Sequence, residues 1–144
     1  MNAPAAAPDQ LEPRIRELFG SLDHAGELTA ERVGSAELAA ERILTGEAGR
    51  EALGTRVRFM LGIAAQRVVA ARYRAYGCPH TLAACEWLAR ELEGRSFEGP
   101  LPPSLQALRI DTPLAWAERL GIPAAKLGRL LVVEDALRAA LTLS

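Results

Sequence analysis

Two consecutive alternating stretches constrain the fold of this chain more than any other feature. Over residues 56–63, Val57, Phe59, Leu61 and Ile63 fall on one side and Arg56, Arg58 and Met60 on the other. Residues 67–76 repeat the pattern, with Val69, Ala71, Tyr73 and Ala75 on one side and Arg72 and Arg74 on the other. A period of two is that of a strand with one core face and one wet face. The pair therefore predicts an antiparallel hairpin turning at residues 64–66. A lone hairpin is marginal in water, so the flanking segments must cover its apolar face.

Those segments read mostly as helix. Pro79 occupies the favoured first position of a helix whose apolar stripe is Leu82, Cys85, Leu88, Ala89 and Leu92, ending at Gly94. Residues 99–103 form a rigid connector. Thr112 and Pro113 then give an N-cap and a first-turn proline for a helix over 114–120, stopped by Gly121 and Pro123. A last helix over 133–141 sets Val133, Ala136, Leu137, Ala140 and Leu141 on one side, with Glu134 and Asp135 expected near its positive N-terminus. Ahead of the hairpin, Leu11, Ile15, Leu18 and Phe19 mark a short amphipathic helix over 11–19, ended by Gly20. Residues 25–49 read two ways, as helix over 37–44 by propensity or as an edge strand over 43–48. Helix, small antiparallel sheet and then three helices is an α+β order, with the helices packed on the sheet's apolar face.

A length of 144 residues suits one compact domain, here 11–144 after a flexible tail over 1–10. With 49% hydrophobic and 24% charged residues, the composition is that of a globular protein, and no apolar run reaches the roughly 18 residues of a membrane span. A formal charge of −1 gives no footprint for nucleic acid or an anionic membrane. Lys126 is the only lysine among 17 basic residues, a bias of codon usage rather than a phosphate-binding surface. Residues 1–10 lack the basic and apolar regions of a secretory signal, so a cytoplasmic location is expected. Cys78 and Cys85, on one helix, would stand roughly 10 Å apart along its axis, beyond bridging reach, so both thiols are expected reduced.

The most informative short stretch is Tyr76-Gly77-Cys78-Pro79-His80-Thr81, where a strand ends, a glycine turns the chain and a cysteine stands at a helix start. Backbone N–H groups of His80 and Thr81 and the helix dipole favour a thiolate there, which suits a nucleophile or a metal ligand. The competing reading is a small residue chosen for a tight turn. Cys85 lies on the apolar stripe and reads as core filler. His80, two residues beyond Cys78, is a further candidate ligand, although a helix-start role explains it as well. His24 reads as a polar loop residue; a Cys-His pairing with it has no local support. Glu134 and Asp135 are explained by dipole complementation, and Arg56, Arg58, Arg72 and Arg74 by an ordinary solvated sheet face. There is no Gly-rich phosphate loop, no HExxH helix and no CxxC.

From Gly46 to the C-terminus, about two-thirds of the chain, the sequence resembles the U-type iron–sulfur cluster assembly scaffold family, that of IscU and the N-terminal part of NifU. The resemblance rests on residues 67–77 leading into Tyr76-Gly77-Cys78, on Leu82-Ala83 and Gly94 at the two ends of one helix, on Ile122-Pro123-Ala124-Ala125-Lys126, and on Glu134-Asp135-Ala136. It implies a three-stranded antiparallel sheet with helices on it, and a binding or carrier protein rather than an enzyme. It also implies a cysteine desulfurase as partner and, through residues 122–126, an Hsc-type chaperone.

Family members carry three cysteines and an aspartate around the cluster site. Carried over residue by residue, the central cysteine is Cys78, the first cysteine and its aspartate fall on Leu53 and Thr55, and a His-Cys pair falls on Gly128 and Arg129. A [2Fe–2S] cluster needs four donors, which these positions of one chain do not offer. The resemblance therefore implies a divergent member, in which Cys78 accepts sulfur or binds iron or a cluster. The alternative is a degenerate, metal-free interaction protein that docks on the desulfurase or another assembly partner. Iron binding would recruit His80, a loop residue such as His24, or a second subunit in a homodimer bridged by two Cys78 thiolates. If the fold holds, the starts of two helices meet at Cys78 and Arg129, where a guanidinium would acidify the thiol further.

Overall fold

A computed structural model describes residues 13–28 and 40–142. The hairpin forms as the alternation requires: β2 spans Thr55–Ala64 and β3 spans Arg67–Tyr76, antiparallel. Ala65 and Gln66 close it with φ of 50° and 60°. Both central residues of this two-residue turn thus lie in the left-handed region, whose twist matches that of the paired strands. A third strand, β1 (Arg42–Arg50), pairs antiparallel with β2 and sets the sheet order β1-β2-β3. Of the two readings of residues 25–49, the edge strand is the one that forms. Residues 37–39 of the helical alternative lie outside the described residues, as do 11–12 of the first helix and the tail over 1–10.

The strand faces differ from expectation at one point. Between Gly62 and Ile63 the β2–β3 register shifts, so Gly62 opposes Ala70 while Ile63 opposes Val68. This bulge at Val69 inverts the side-chain alternation. Val68 is therefore the fully buried core residue, and Val69 is half-buried. The opposite face is not wholly wet either. Met60 and Ala70 are buried there beneath Leu28, with Ile43 packed alongside.

The helices follow. α1 (Pro13–Phe19) rests on α2 (Pro79–Leu92), which lies on β3. A short α3 (Leu105–Leu108), capped by the Ser104 hydroxyl, has no counterpart in the sequence reading. α4 (Pro113–Leu120) is capped as expected, the Thr112 side chain accepting from the Ala115 N–H and Gly121 closing its end. α5 (Leu127–Ala140) covers β1 and β2. Two readings need correcting. α2 is buried on nearly every side, between sheet, α1 and α5, so its burial is not confined to one stripe and Leu82 is only half-buried. α5 starts six residues earlier than expected, which puts Glu134 and Asp135 in mid-helix, where Glu134 lies 3.6 Å from Arg138 instead of facing the dipole.

The close seat of α5 depends on Gly46. A Cβ there would collide with the backbone of Ala136 and Ala140. Further along β1, a Cβ on Gly49 would stand 2.9 Å from Val132 Cγ1. As β1 advances, the facing α5 residues recede, so the two run antiparallel. Among the described residues no helix is long and apolar enough to cross a membrane.

Candidate functional site

One end of the sheet gathers the chemistry. Strand register places Arg50 opposite Thr55 and Arg56 opposite Tyr76, so the β1–β2 turn and the β3 exit into Gly77 and Cys78 share an end. The antiparallel run of α5 against β1 brings the start of α5 there too. From Gly46 to Arg50 the strand climbs about 13 Å, and from the middle of the facing 136–140 segment back to Arg129 the helix covers about the same distance. Cys78, Leu53, Thr55, Gly128 and Arg129 thus belong to one end of the molecule.

Cys78 is the N-cap of α2, in extended backbone, with Pro79 at the first helical position. Its Sγ lies 3.5 Å from Thr81 Oγ1. Thr81 is fully buried, and a Cβ on Gly77 would press on its Cβ, Cγ2 and Oγ1 at 3.0–3.1 Å, so glycine is what lets the turn close over it. Half-burial opposes ionisation of Cys78. The side chains of His80 and Thr81, and then the backbone N–H groups of Thr81 and His80, outweigh it and hold the thiol at about 6. The dominant groups all come from the chain's own next three residues. Cys85 is the opposite case: burial first, and then the neighbouring Glu86 carboxylate, push its thiol well above the ordinary range. Both cysteines are free.

The other positions are placed as follows. His80 is the second residue of α2 and is buried. Leu53 ends the short 3-10 turn Glu51–Leu53 and is 79% exposed, whereas Thr55 at the start of β2 is buried. Gly128 is exposed with open space where a Cβ would stand. Arg129 is half-buried, and its Nε is buried with no hydrogen-bond partner. His24 is not directed at the thiol. Its Nδ1 lies 2.7 Å from Glu86 Oε2 and its Nε2 3.5 Å from Glu93.

That pairing belongs to a network the sequence reading missed. Glu86, fully buried, also accepts from the His24 N–H (2.9 Å), the Tyr73 hydroxyl (3.1 Å) and Arg90 Nε (2.9 Å). It ties residues 20–28 to α2 and β3. The available signal was a glutamate between Cys85 and Trp87 on an apolar face, four residues before an arginine. On the outer sheet face a shallow hollow of about 410 Å³ is lined by three glutamates, Glu27, Glu47 and Glu51, and three arginines, Arg56, Arg58 and Arg74, with Tyr76 beside them. Arg56 pairs with Glu47, Arg58 and Arg74 with Glu27, and Arg72 turns away to Glu93. The hollow is charge-balanced, an ordinary solvated face.

A family model described as the NifU-like N terminal domain matches residues 13–142. The chain belongs to that family. The NifU-like family is one of iron–sulfur cluster assembly scaffolds; its members bind clusters, interact with assembly machinery and are generally non-catalytic. A curated relative, the bifunctional protein NifU/MnmA of Rubrobacter xylanophilus, is 39% identical over 93 residues. The match covers 64% of this chain and 17% of that longer protein. A solved hypothetical protein shares the fold with a TM-score of 0.53 at 14% identity, over 88% of this chain and 96% of its own. The N-terminal part of a NifU-like protein from Brucella abortus aligns over 90% of this chain and 92% of its own, at 16% identity and a TM-score of 0.48.

The residues at this end do not fit the cluster that the family binds. Cys78 is the one cysteine at this end, Cys85 is sealed in the core, and Leu53 and Arg129 offer iron nothing. Among the described residues no group of three or more His, Cys, Asp and Glu side chains converges on a metal position.

Proposed function

We propose that this NifU-like chain is a sulfur acceptor in or beside iron–sulfur cluster assembly, carrying one sulfur on Cys78 rather than building a cluster. The observation that carries the reading is the acidified, half-buried Cys78 at a helix start, in a site otherwise without soft ligands. The chemistry needs one thiolate. Cys78 Sγ attacks the outer sulfur of a donor persulfide; the donor S–S bond breaks, a new S–S bond forms on Cys78, and the donor cysteine leaves as thiolate. No net oxidation occurs.

The donor partner is a cysteine desulfurase, and the compartment a reducing cytoplasm in which free thiols persist. A chaperone contact through residues 122–126 has weaker support: Pro123 to Ala125 are exposed between α4 and α5, but Ile122 is buried. The test is incubation with a persulfide donor followed by mass spectrometry. One added sulfur on Cys78, absent from Cys85 and from Cys78→Ser, is the expected result, together with no Cys78-dependent visible absorption after anaerobic treatment with iron and sulfide. Iron bound in a Cys78-dependent way would restore the scaffold reading. The second reading, a docking protein that carries nothing, is favoured by the exposed Leu53 where the family has a ligand. It requires capture of the desulfurase to survive Cys78→Ser with no sulfur transferred.

A further inference from the structure

The sulfur of Cys78 is held on one side only. Its Sγ lies 3.5 Å from Oγ1 of the fully buried Thr81, and the buried ring of His80 and the N–H groups of both residues bond to it as well. All of these groups belong to the first turn of α2, so they fill the inner half of a half-buried sulfur. A sulfur delivered from outside therefore bonds on the outer, solvent half. The other thiol of the chain, Cys85, stands two turns further along α2 and is fully buried.

We infer that the sulfur on Cys78 is passed on as sulfane sulfur to a thiolate of an acceptor outside this chain, so that its reduction to sulfide belongs to a later reaction. The inference deepens the sulfur-acceptor reading and rests on it. Two displacements compete at a persulfide, and in each the attacking thiolate lies in line with the bond that breaks. Attack on the outer sulfur comes from solvent. The acceptor forms an S–S bond to that sulfur, the bond to Sγ breaks, its electron pair stays on Cys78 as thiolate, and the proton stays on the sulfur transferred. Attack on Sγ would instead form a disulfide between acceptor and Cys78 and expel hydrosulfide. That attack must enter from the side opposite the outer sulfur, where Thr81 and His80 stand. The same contacts favour a thiolate at Cys78, which makes it the readier leaving group. Burial closes Cys85 to the persulfide, so no disulfide between the two cysteines releases sulfide in the folded chain. Neither displacement needs an outside oxidant or reductant.

The experiment uses the full chain, loaded anaerobically with inorganic disulfide. Cys78 thiolate attacks one sulfur of hydrogen disulfide, the S–S bond breaks, hydrosulfide leaves and Cys78 carries the persulfide. After desalting, an equal amount of free cysteine is added as the probe acceptor. The reaction is stopped early with iodoacetamide, and protein and small molecules are weighed by mass spectrometry. Alkylated cysteine persulfide with Cys78 returned to thiol is expected to exceed the Cys78–cysteine mixed disulfide on the order of tenfold. Two changes remove the shield behind Sγ: Thr81→Ala, and unfolding of the loaded wild type in urea, which also frees Cys85. Each should raise the share of disulfides on Cys78 severalfold, and the urea comparison decides where Thr81→Ala does not fold.

A mixed disulfide that equals or exceeds the transferred persulfide in the folded wild type overturns the inference, as does a product ratio that urea leaves unchanged. The two readings fail separately. If Cys78 loads but yields mainly the mixed disulfide, the acceptor reading stands and onward transfer falls. If Cys78 takes up no sulfur from inorganic disulfide, the acceptor reading falls and onward transfer with it.

Discussion

Cys78 and Cys85 lie in or beside the same helix, and their surroundings drive their acidities apart. One caps the start of α2 and is held at about 6, while the other is sealed between sheet and helices with its thiol raised. Alkylation of native protein with iodoacetamide should therefore label Cys78 with a rate that climbs through about pH 6 and is flat well before the ordinary thiol value of 9.0. Cys85 should label only after unfolding. The sign follows from linkage: a lowered folded pKa means that ionised Cys78 stabilises the fold above the ordinary thiol pKa, and this contribution is lost as pH falls from about 9 through about 6. Thr81 tests the cause. Thr81→Val removes the hydroxyl beside Sγ at nearly constant volume and should move the labelling midpoint upward, whereas Thr81→Ser should leave it near the wild-type position. Equal midpoints in the two variants would assign the shift to His80 and the helix start alone.

The hairpin, the capped helix α4 and the thiol at the start of α2 were legible because each has a local signature: a period of two, a Thr-Pro pair, a Gly-Cys-Pro turn. Features made by contacts distant in sequence were not. The bulge at Val69 is set by how β2 and β3 meet, so nothing in Val68-Val69 alone says which valine is core. The start of α5 was hidden because Lys126 caps it with no side-chain hydrogen bond and Gly128 follows at once. The exposure of Leu53 and the orphaned Nε of Arg129 depend on the turn and helix that surround them. The Glu86 network is of the same kind, and its energetic weight can be measured. Glu86→Ala leaves Tyr73, His24 and Arg90 without their shared acceptor and should cost about 3 kcal/mol in urea unfolding. Gly46→Ala, which forces a methyl into the backbone of α5, should cost about 1–3 kcal/mol by the same measurement.

On the correspondence that the resemblance implies, the whole molecule keeps the frame of a cluster scaffold while its donor set has gone. Register brings the β1–β2 turn, Cys78 and the start of α5 to one end, so the positions that the resemblance assigns to ligands are gathered even where their side chains cannot bind iron. If the loss lies in the donors alone, restoring them should restore the chemistry. Leu53 is exposed at the tip of a turn, Gly128 has open space for a side chain, and Arg129 holds no hydrogen bond at Nε, so three substitutions there meet little packing resistance. The variant Leu53→Cys, Gly128→His, Arg129→Cys, with Cys78 retained, presents three thiolates and an imidazole, four donors of the kinds known to hold iron–sulfur clusters. Anaerobic treatment with iron and sulfide should give it visible charge-transfer absorption and bound iron, both lost on adding Cys78→Ser, where the wild type shows neither. A variant that folds as the wild type does, yet takes up no iron, would mean that the backbone at this end has moved away from cluster geometry along with its side chains. The divergence would then be one of shape as well as of ligands, and the face around Cys78 would have to be read wholly in terms of what docks there.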